Sequence, residues 1–151
     1  MSKIFESTIE KELLENGSFA TCAKGESMRP MLRGGRDMVV IEPISKEIKK
    51  YDVILFKDKS SRYVLHRVIK IKDSVIITRG DNTYFTETVG TENVLGILTK
   101  YNKNGKSYDV NSLSSRLYAR RRVFFYYPRK LSLKLKRLVC AAARKIFKKR
   151  K

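Results

Sequence analysis

At the start of the chain the apolar residues recur at helical spacing. They are Ile4, Phe5, Ile9, Leu13 and Leu14. This spacing places them on one face of a helix, and Gly17 stands where a helix would stop. The pattern therefore predicts a short amphipathic helix over residues 2–15.

Beyond this segment the pattern changes to short runs rich in valine, isoleucine and aromatic residues. They cover residues 37–42, 52–57, 63–71, 75–79 and 94–101. Glycine, proline, aspartate or asparagine bounds each run, as is typical of β-strands joined by turns. Asn104-Gly105 adds a strong signal for a two-residue hairpin between residues 98–101 and 107–110. We predict a mainly β, antiparallel domain over residues 19–110.

From Leu113 onward helical spacing returns, and Pro128 divides this region from the aromatic-rich residues 120–127. The apolar positions that share one helical face are Leu131, Leu135, Leu138, Val139, Ala142 and Ile146. Lysine and arginine crowd the other face, so the pattern predicts a basic amphipathic tail over residues 111–151. The chain then divides into an N-terminal helix over residues 1–18, the β domain and the tail.

The positive charge is concentrated in the tail. The chain has a formal net charge of +19, of which residues 1–100 contribute +3 and residues 101–151 contribute +16, with Asp109 as the one acid in the latter. Such a segment favours a polyanionic partner, either an anionic membrane surface or nucleic acid. The packing of its apolar face on the domain is the alternative.

Cysteine and histidine usage excludes several classes. The two cysteines are far apart and His66 is the one histidine, so no disulfide framework, structural zinc site or other cofactor is predicted. The N-terminus has no apolar signal-peptide core, and no run approaches the ~18 apolar residues of a membrane span. We expect a cytoplasmic protein that binds peripherally at the inner face of the membrane.

Three short segments carry residues suited to nucleophilic chemistry: 25–32, 63–69 and 78–83. The first contains Ser27 in a turn that starts with glycine, and the second contains His66 in a strand. The third carries Gly-Asp-Asn after a strand. Taken singly, each has an ordinary structural explanation as a turn or a strand residue.

As an ordered set, these segments resemble the signal peptidases. The nucleophile box Ser-Met-x-Pro is matched at residues 27–30, and the start of the next strand at residues 51–54. A base followed by Arg-Val-Ile is matched at residues 66–69, and Gly-Asp-Asn at residues 80–82. The resemblance covers residues 24–98. It implies a coiled, antiparallel β-sheet of the signal-peptidase and self-cleaving-repressor type, with serine-peptidase activity.

The base position implies the subtype. Many bacterial signal peptidases have lysine there, whereas endoplasmic-reticulum and archaeal enzymes have histidine, as at His66. A neutral imidazole near its usual pKa can accept the proton of the Ser27 hydroxyl at cytoplasmic pH. The resemblance also implies a carboxylate that orients the imidazole, either Asp81 or Glu87. Met28 is expected, with Pro30, to shape the turn and the substrate cleft.

The chain departs from the family pattern at four points. Arg36 stands where an aspartate usually follows glycine, Thr83 replaces a second asparagine, and Glu87 replaces aspartate. We expect no counterpart of the family's N-terminal transmembrane anchor. The first three differences concern the geometry of the site, and the fourth concerns the substrate and the place of action.

The expected function is therefore a serine endopeptidase that removes a leader or signal-like segment from a precursor through a Ser27/His66 dyad. The resemblance implies small substrate side chains next to the scissile bond. One alternative is a self-cleaving-repressor-like protein whose tail contacts DNA, although those relatives use a lysine base. Another is a non-catalytic binding protein.

Overall fold

The computed structural model describes residues 9–132, in which strands form one antiparallel sheet and helices lie at both ends of the sequence. The strands are β1 (Phe19–Cys22), β2 (Met38–Glu42), β3 (Val53–Lys57), β4 (Tyr63–Lys72), β5 (Val75–Arg79), β6 (Glu87–Gly90), β7 (Val94–Lys103) and β8 (Lys106–Asp109). The helices are α1 (Ile9–Asn16), α2 (Leu113–Phe124) and a further helical segment, α3, that includes residues 126–132. The expected mainly β fold is confirmed.

The described strands lie in the order β1-β2-β7-β3-β4-β5-β6, and β8 pairs with the end of β7. The sheet curls into a half-barrel. Register shifts that mark bulges occur where β3 meets β7 and where β4 meets β5. Because a bulge bends its strand and increases the local twist, these positions favour the curl.

Strand β3 lies between β4 and β7 and is buried on both of its faces. Val53 and Leu55 join one apolar cluster, whereas Ile54 and Phe56 join a second. The first cluster also contains Met28, Met31 and Leu32. The loop after β1 is therefore anchored in the core by its own apolar side chains, each of which contributes about 1.5–3 kcal/mol on burial.

Helix α1 lies against this same cluster through Leu13. The hydroxyl of Tyr63 donates a 2.7 Å hydrogen bond to Glu10, which also pairs with Lys57. The helix ends at Asn16, and Gly17 has φ +65°, a conformation that favours glycine after a helix. Of the predicted helix 2–15, residues 2–8 lie outside the described residues.

The C-terminal part of the described chain is helical, as predicted, but its break lies elsewhere. The Ser112 side chain accepts a hydrogen bond from the Ser115 N–H and caps the start of α2, and α2 ends at Phe124. Pro128 lies in the first turn of α3, where a missing N–H is tolerated, so it does not divide the two helices. The apolar positions predicted from Leu135 to Ile146 lie outside the described residues.

The five predicted strands correspond to β2, β3, β4, β5 and β7, and the Asn104-Gly105 hairpin joins β7 to β8 as expected. Both turn residues have positive φ, as a two-residue hairpin turn of this kind requires. Strands β1 and β6 were not predicted. Within residues 9–132, no helix is long and apolar enough to cross a membrane.

Candidate active site

Ser27 and His66 meet on either side of Gly80. A Cβ atom built on Gly80 would lie 3.0 Å from Ser27 Cβ and 3.0 Å from His66 Nε2, so these two atoms are at most twice that distance apart. The same point lies 2.6 Å from the Ser27 carbonyl oxygen. The absence of a side chain at Gly80 thus allows the serine, the imidazole and the 80–82 turn to approach one another.

Two hydrogen bonds fix the Ser27 turn to the Gly-Asp-Asn turn. The Asn82 N–H donates to the Ser27 carbonyl oxygen at 2.7 Å, and the Asn82 side-chain amide donates to the Glu26 carbonyl oxygen at 3.2 Å. Gly25 opens the serine turn with φ +73°, a left-handed conformation that other residues rarely adopt. The turn is therefore fixed by the buried side chains of Met28, Met31 and Leu32 and by the hydrogen bonds of Asn82.

His66 is buried on β4, where it pairs with Ile54 of β3. The ring of Phe56 contacts the imidazole edge-on, at 6.2 Å between centroids. On the other side, Nδ1 lies 2.6 Å from Glu87 Oε2. Because the carboxylate accepts a hydrogen bond from Nδ1–H, the lone pair of the neutral imidazole falls on Nε2, the nitrogen next to Ser27.

Burial lowers the pKa of His66 below its usual 6.5, since a charged imidazole is poorly solvated inside the protein. The charge of Glu87 and its hydrogen bond to Nδ1 act in the opposite direction, with a smaller contribution from Asp81. The neutral form of the imidazole, which accepts a proton, is therefore favoured at neutral pH.

Asp81 makes no hydrogen bond to the imidazole. Its carboxylate receives two 2.8 Å hydrogen bonds from Arg67, and both side chains are 2% exposed. The Tyr118 hydroxyl donates a third hydrogen bond to Asp81, at 3.0 Å. Of the two carboxylates that the sequence offered, the structure thus places Glu87 at His66 and Asp81 in a buried ion pair that supports the turn.

A groove of about 790 Å³ runs past Ser27, His66 and Glu87. Its walls are mostly apolar and include Ile9, Phe19, Ala23, Met28, Leu32, Val39, Ile41, Leu55, Val64 and Leu65. Met28 thus lies in the cleft as expected, whereas Pro30 is exposed outside it. A mostly apolar groove with a few convergent polar groups is the usual form of a binding site.

Two strand edges border this groove. Among the described strands, β1 pairs with β2 alone, and β5 pairs with β4 only from Arg67 onward. The groove is therefore lined by the free edge of β1 and by the first four residues of β4, residues 63–66. Such edges present unpaired backbone groups that an extended peptide can bind.

A second cavity, of about 740 Å³, lies on the far side of Glu87. Charged and hydroxyl side chains dominate its lining, among them Lys57, Asp58, Arg62 and Thr88. It contains neither Ser27 nor His66. Within residues 9–132, no three histidine, cysteine, aspartate or glutamate side chains come together as a metal site would require.

Within the described chain, the backbone N–H of Ser27 donates no hydrogen bond. The Ser27 hydroxyl likewise makes no hydrogen bond to Nε2 of His66. A free N–H at the nucleophile suits the stabilisation of a developing oxyanion. The bond between nucleophile and base often tightens only when a substrate binds. The arrangement can thus support acyl transfer through a serine hydroxyl.

Sequence reasoning missed three side chains that hold this site together: Arg67, Tyr118 and Arg122. Arg67 stands next to His66 in the matched Arg-Val-Ile box, a signal that could have identified it. Tyr118 and Arg122 lie four positions apart on α2, a spacing that places polar side chains on one helical face. Comparison of the chain with family models, curated proteins and solved structures finds no match.

Proposed function

We propose that this protein is a serine endopeptidase of the signal-peptidase type, with Ser27 as nucleophile, His66 as general base and Glu87 as the carboxylate that orients the base. The observation that carries the proposal is the convergence of Ser27 and His66 across Gly80, with Glu87 on the opposite ring nitrogen. Ser27 and His66 come from the ordered family boxes, Glu87 is one of the two carboxylates that the resemblance offered, and all three line one groove.

In the proposed reaction, Nε2 of neutral His66 takes the hydroxyl proton as Ser27 Oγ attacks the scissile carbonyl carbon. The tetrahedral intermediate collapses, the C–N bond breaks, and the imidazolium returns the proton to the leaving amine. Water then attacks the acyl ester with His66 again as base, which releases the acid product and regenerates the serine. The carboxylate of Glu87 stabilises the transient imidazolium and fixes its tautomer.

The substrate that fits this groove is an extended peptide with apolar or small side chains. Free backbone groups of β1 and of residues 63–66 of β4 would pair with the peptide main chain. Apolar groove residues such as Phe19, Met28 and Leu65 would contact its side chains. These features suit a leader or signal-like segment of a precursor, the substrate class that the family resemblance implies.

The basic tail gives the proposal its place of action. Phe124 and Tyr127 are each 76% exposed, and Leu131 is 68% exposed, within a region of high positive charge. Exposed aromatic and aliphatic side chains next to lysine and arginine favour an anionic membrane surface over a bare polyanion. We propose that the protein works as a peripheral enzyme at such a surface.

The proposal is tested by incubation of the full chain with a diverse peptide mixture and identification of new termini by mass spectrometry. The wild-type chain is expected to cut a defined set of peptides, and Ser27→Ala and His66→Ala are expected to cut none. The double variant should lose no more than either single variant, since the two residues act as one unit. Cleavage that survives in Ser27→Ala would show that another group, or a contaminant, performs the reaction.

A further inference from the structure

The C-terminal helices contact the turns that carry the proposed active site. Tyr118, Arg122 and Tyr126, at intervals of four residues, contact the 79–84 segment or the serine turn. We refer to these three residues as the clamp. Its members lie in the basic tail, a region that sequence patterning alone assigned to partner binding.

Arg122 joins the two turns directly. Its Nε donates to the Asp81 carbonyl oxygen at 2.9 Å, and one terminal nitrogen donates to the Arg29 carbonyl oxygen at 3.2 Å. Arg29 follows Ser27 by two residues, and Asp81 follows Gly80. The guanidinium thus fixes the separation between the serine turn and the turn that contains Gly80, the residue that both Ser27 and His66 approach.

Tyr118 and Tyr126 hold the same segment from either side of Arg122. The Tyr118 hydroxyl donates to the Asp81 carboxylate, and the half-buried ring lies 5.7 Å from the guanidinium carbon of Arg67. The Tyr126 hydroxyl donates to the Tyr84 carbonyl oxygen at 2.9 Å, and its ring lies 3.4 Å from the guanidinium carbon of Arg79. Segment 79–84 leads directly to Glu87, so its position also affects the carboxylate that orients His66.

We propose that Arg122 and Tyr118 are positioning residues for the peptidase reaction: through the clamp, the tail sets the distance between the nucleophile turn and the base. This inference rests on the proposed function. Neither residue lines the groove, so the clamp acts on the rate of chemistry rather than on substrate binding. A small displacement of reacting groups lowers the rate strongly, because catalysis requires them in near-attack geometry.

The test compares Arg122→Ala and Tyr118→Phe with Arg120→Ala, an exposed arginine of α2 that makes none of these contacts. In the full chain, Arg122→Ala should lower kcat on a cleaved peptide by about 10- to 100-fold with little change in KM. Tyr118→Phe, which removes one oxygen, should lower it less. Arg122→Lys should restore part of the loss, since an ammonium can still bind one of the two carbonyls.

Hydrogen exchange supplies a readout that does not depend on activity. The Asn82 amide, which bonds to the Ser27 carbonyl, should exchange faster in Arg122→Ala than in Arg120→Ala, while amides of β3 stay as in the wild type. Equal exchange and equal kcat in Arg122→Ala, Tyr118→Phe and Arg120→Ala would overturn the proposal. So would faster exchange throughout the sheet, or local acceleration with unchanged kcat. If the wild type cuts no peptide, local exchange still decides whether the clamp orders the turns, and only the proposed function fails.

Discussion

The Nδ1 atom of His66 lies 2.6 Å from Oε2 of Glu87, although the two residues belong to strands that β5 separates. This contact leaves Nε2 as the basic nitrogen and directs it at the Ser27 turn. The Glu87 side chain is 29% exposed, whereas that of His66 is 5% exposed. The imidazole therefore has a partly exposed carboxylate on one nitrogen and the candidate nucleophile near the other.

Glu87→Gln should lower turnover by about 10²- to 10⁴-fold, because the amide no longer stabilises the imidazolium or enforces its tautomer. The fold should persist, since Glu87 is at the edge of the groove. Steady-state kinetics measure the loss, and Glu92→Gln, another acid near β6, serves as control. A near-silent Glu87→Gln would leave a simple Ser27/His66 dyad.

Activity should rise with pH through an apparent pKa below 6.5, because burial favours neutral His66. In Glu87→Gln the apparent pKa of this rise in activity should be still lower. The reason is that the Glu87 carboxylate, which raises the pKa of His66 against the effect of burial, is removed. The chain has one histidine, so NMR can follow the imidazole of Ser27→Ala without ambiguity. A pKa above 6.5 in that titration would contradict the expectation.

The same titration has a consequence for stability. The folded chain binds the His66 proton less readily than the unfolded chain, for which the pKa is about 6.5. The contribution of His66 to the free energy of unfolding is therefore fully present above pH 6.5. It is lost as the pH falls from 6.5 through the lower pKa that His66 has in the folded chain. Denaturant unfolding of wild type and His66→Gln across this window measures the difference, which should shrink as the pH falls.

Asp81→Asn should lower the free energy of unfolding by about 3–5 kcal/mol, because it leaves the buried Arg67 charge without its counter-ion. Urea unfolding measures the loss. Asp73→Asn, at an exposed turn, should stay within about 0.5 kcal/mol of the wild type. Loss of turnover in Asp81→Asn without loss of stability would instead assign Asp81 a direct part in the reaction.

Gly80→Ala should reduce kcat by at least about 100-fold, since the new methyl group would force the serine and imidazole apart. Gly96→Ala is a control for steric strain, because its Cβ would also meet a backbone carbonyl at 2.6 Å, that of Glu42, and the Ile41 side chain in the groove wall, but neither Ser27 nor His66. It should destabilise the fold and leave the kcat of the folded fraction unchanged, whatever its effect on KM through Ile41. Similar kcat values for the two folded variants would contradict the geometry proposed for the site.

Full-length protein should sediment with anionic vesicles of phosphatidylserine and phosphatidylcholine, and less with phosphatidylcholine alone. Salt should weaken the binding, because charge attraction falls off within about 8 Å at physiological ionic strength. Replacement of Phe124, Phe125 and Tyr127 by serine should remove the part of the vesicle binding that persists at high salt. Failure to sediment at low salt, or complete displacement by duplex DNA, would reject the membrane proposal in favour of a protein partner or a nucleic acid.

Much of the fold was predictable because valine- and isoleucine-rich runs with bounding turns define strands locally. Strand β1 was not predicted because its four residues, Phe19–Cys22, show no alternation of buried and exposed positions. Strand β6 escaped because Glu87 and Thr88 give it little apolar character. Both lie at edges of the sheet, where each pairs with one neighbouring strand alone.

The residues of the candidate site could be predicted where the chemistry requires a particular residue type. They could not be predicted where two residues of the same chemistry differ only in their packing and hydrogen-bond partners. Ser27 and His66 followed from ordered motifs. The choice between Asp81 and Glu87 depends on Arg67, because its side chain forms a buried ion pair with Asp81. Glu87 is then the carboxylate that binds His66. A helical pattern, likewise, shows which face of α2 is polar but not that Arg122 reaches two turns on other elements.

The order of synthesis gives the clamp a further meaning. Ser27, His66 and Glu87 are all translated before Tyr118, Arg122 and Tyr126, and domains form as the chain emerges from its N-terminus. A nascent chain can therefore complete the sheet and the groove while its two site turns still lack the bridge from α2. Under the proposed function, full turnover would then arise only after α2 and Tyr126 have been synthesised and have docked on the two turns.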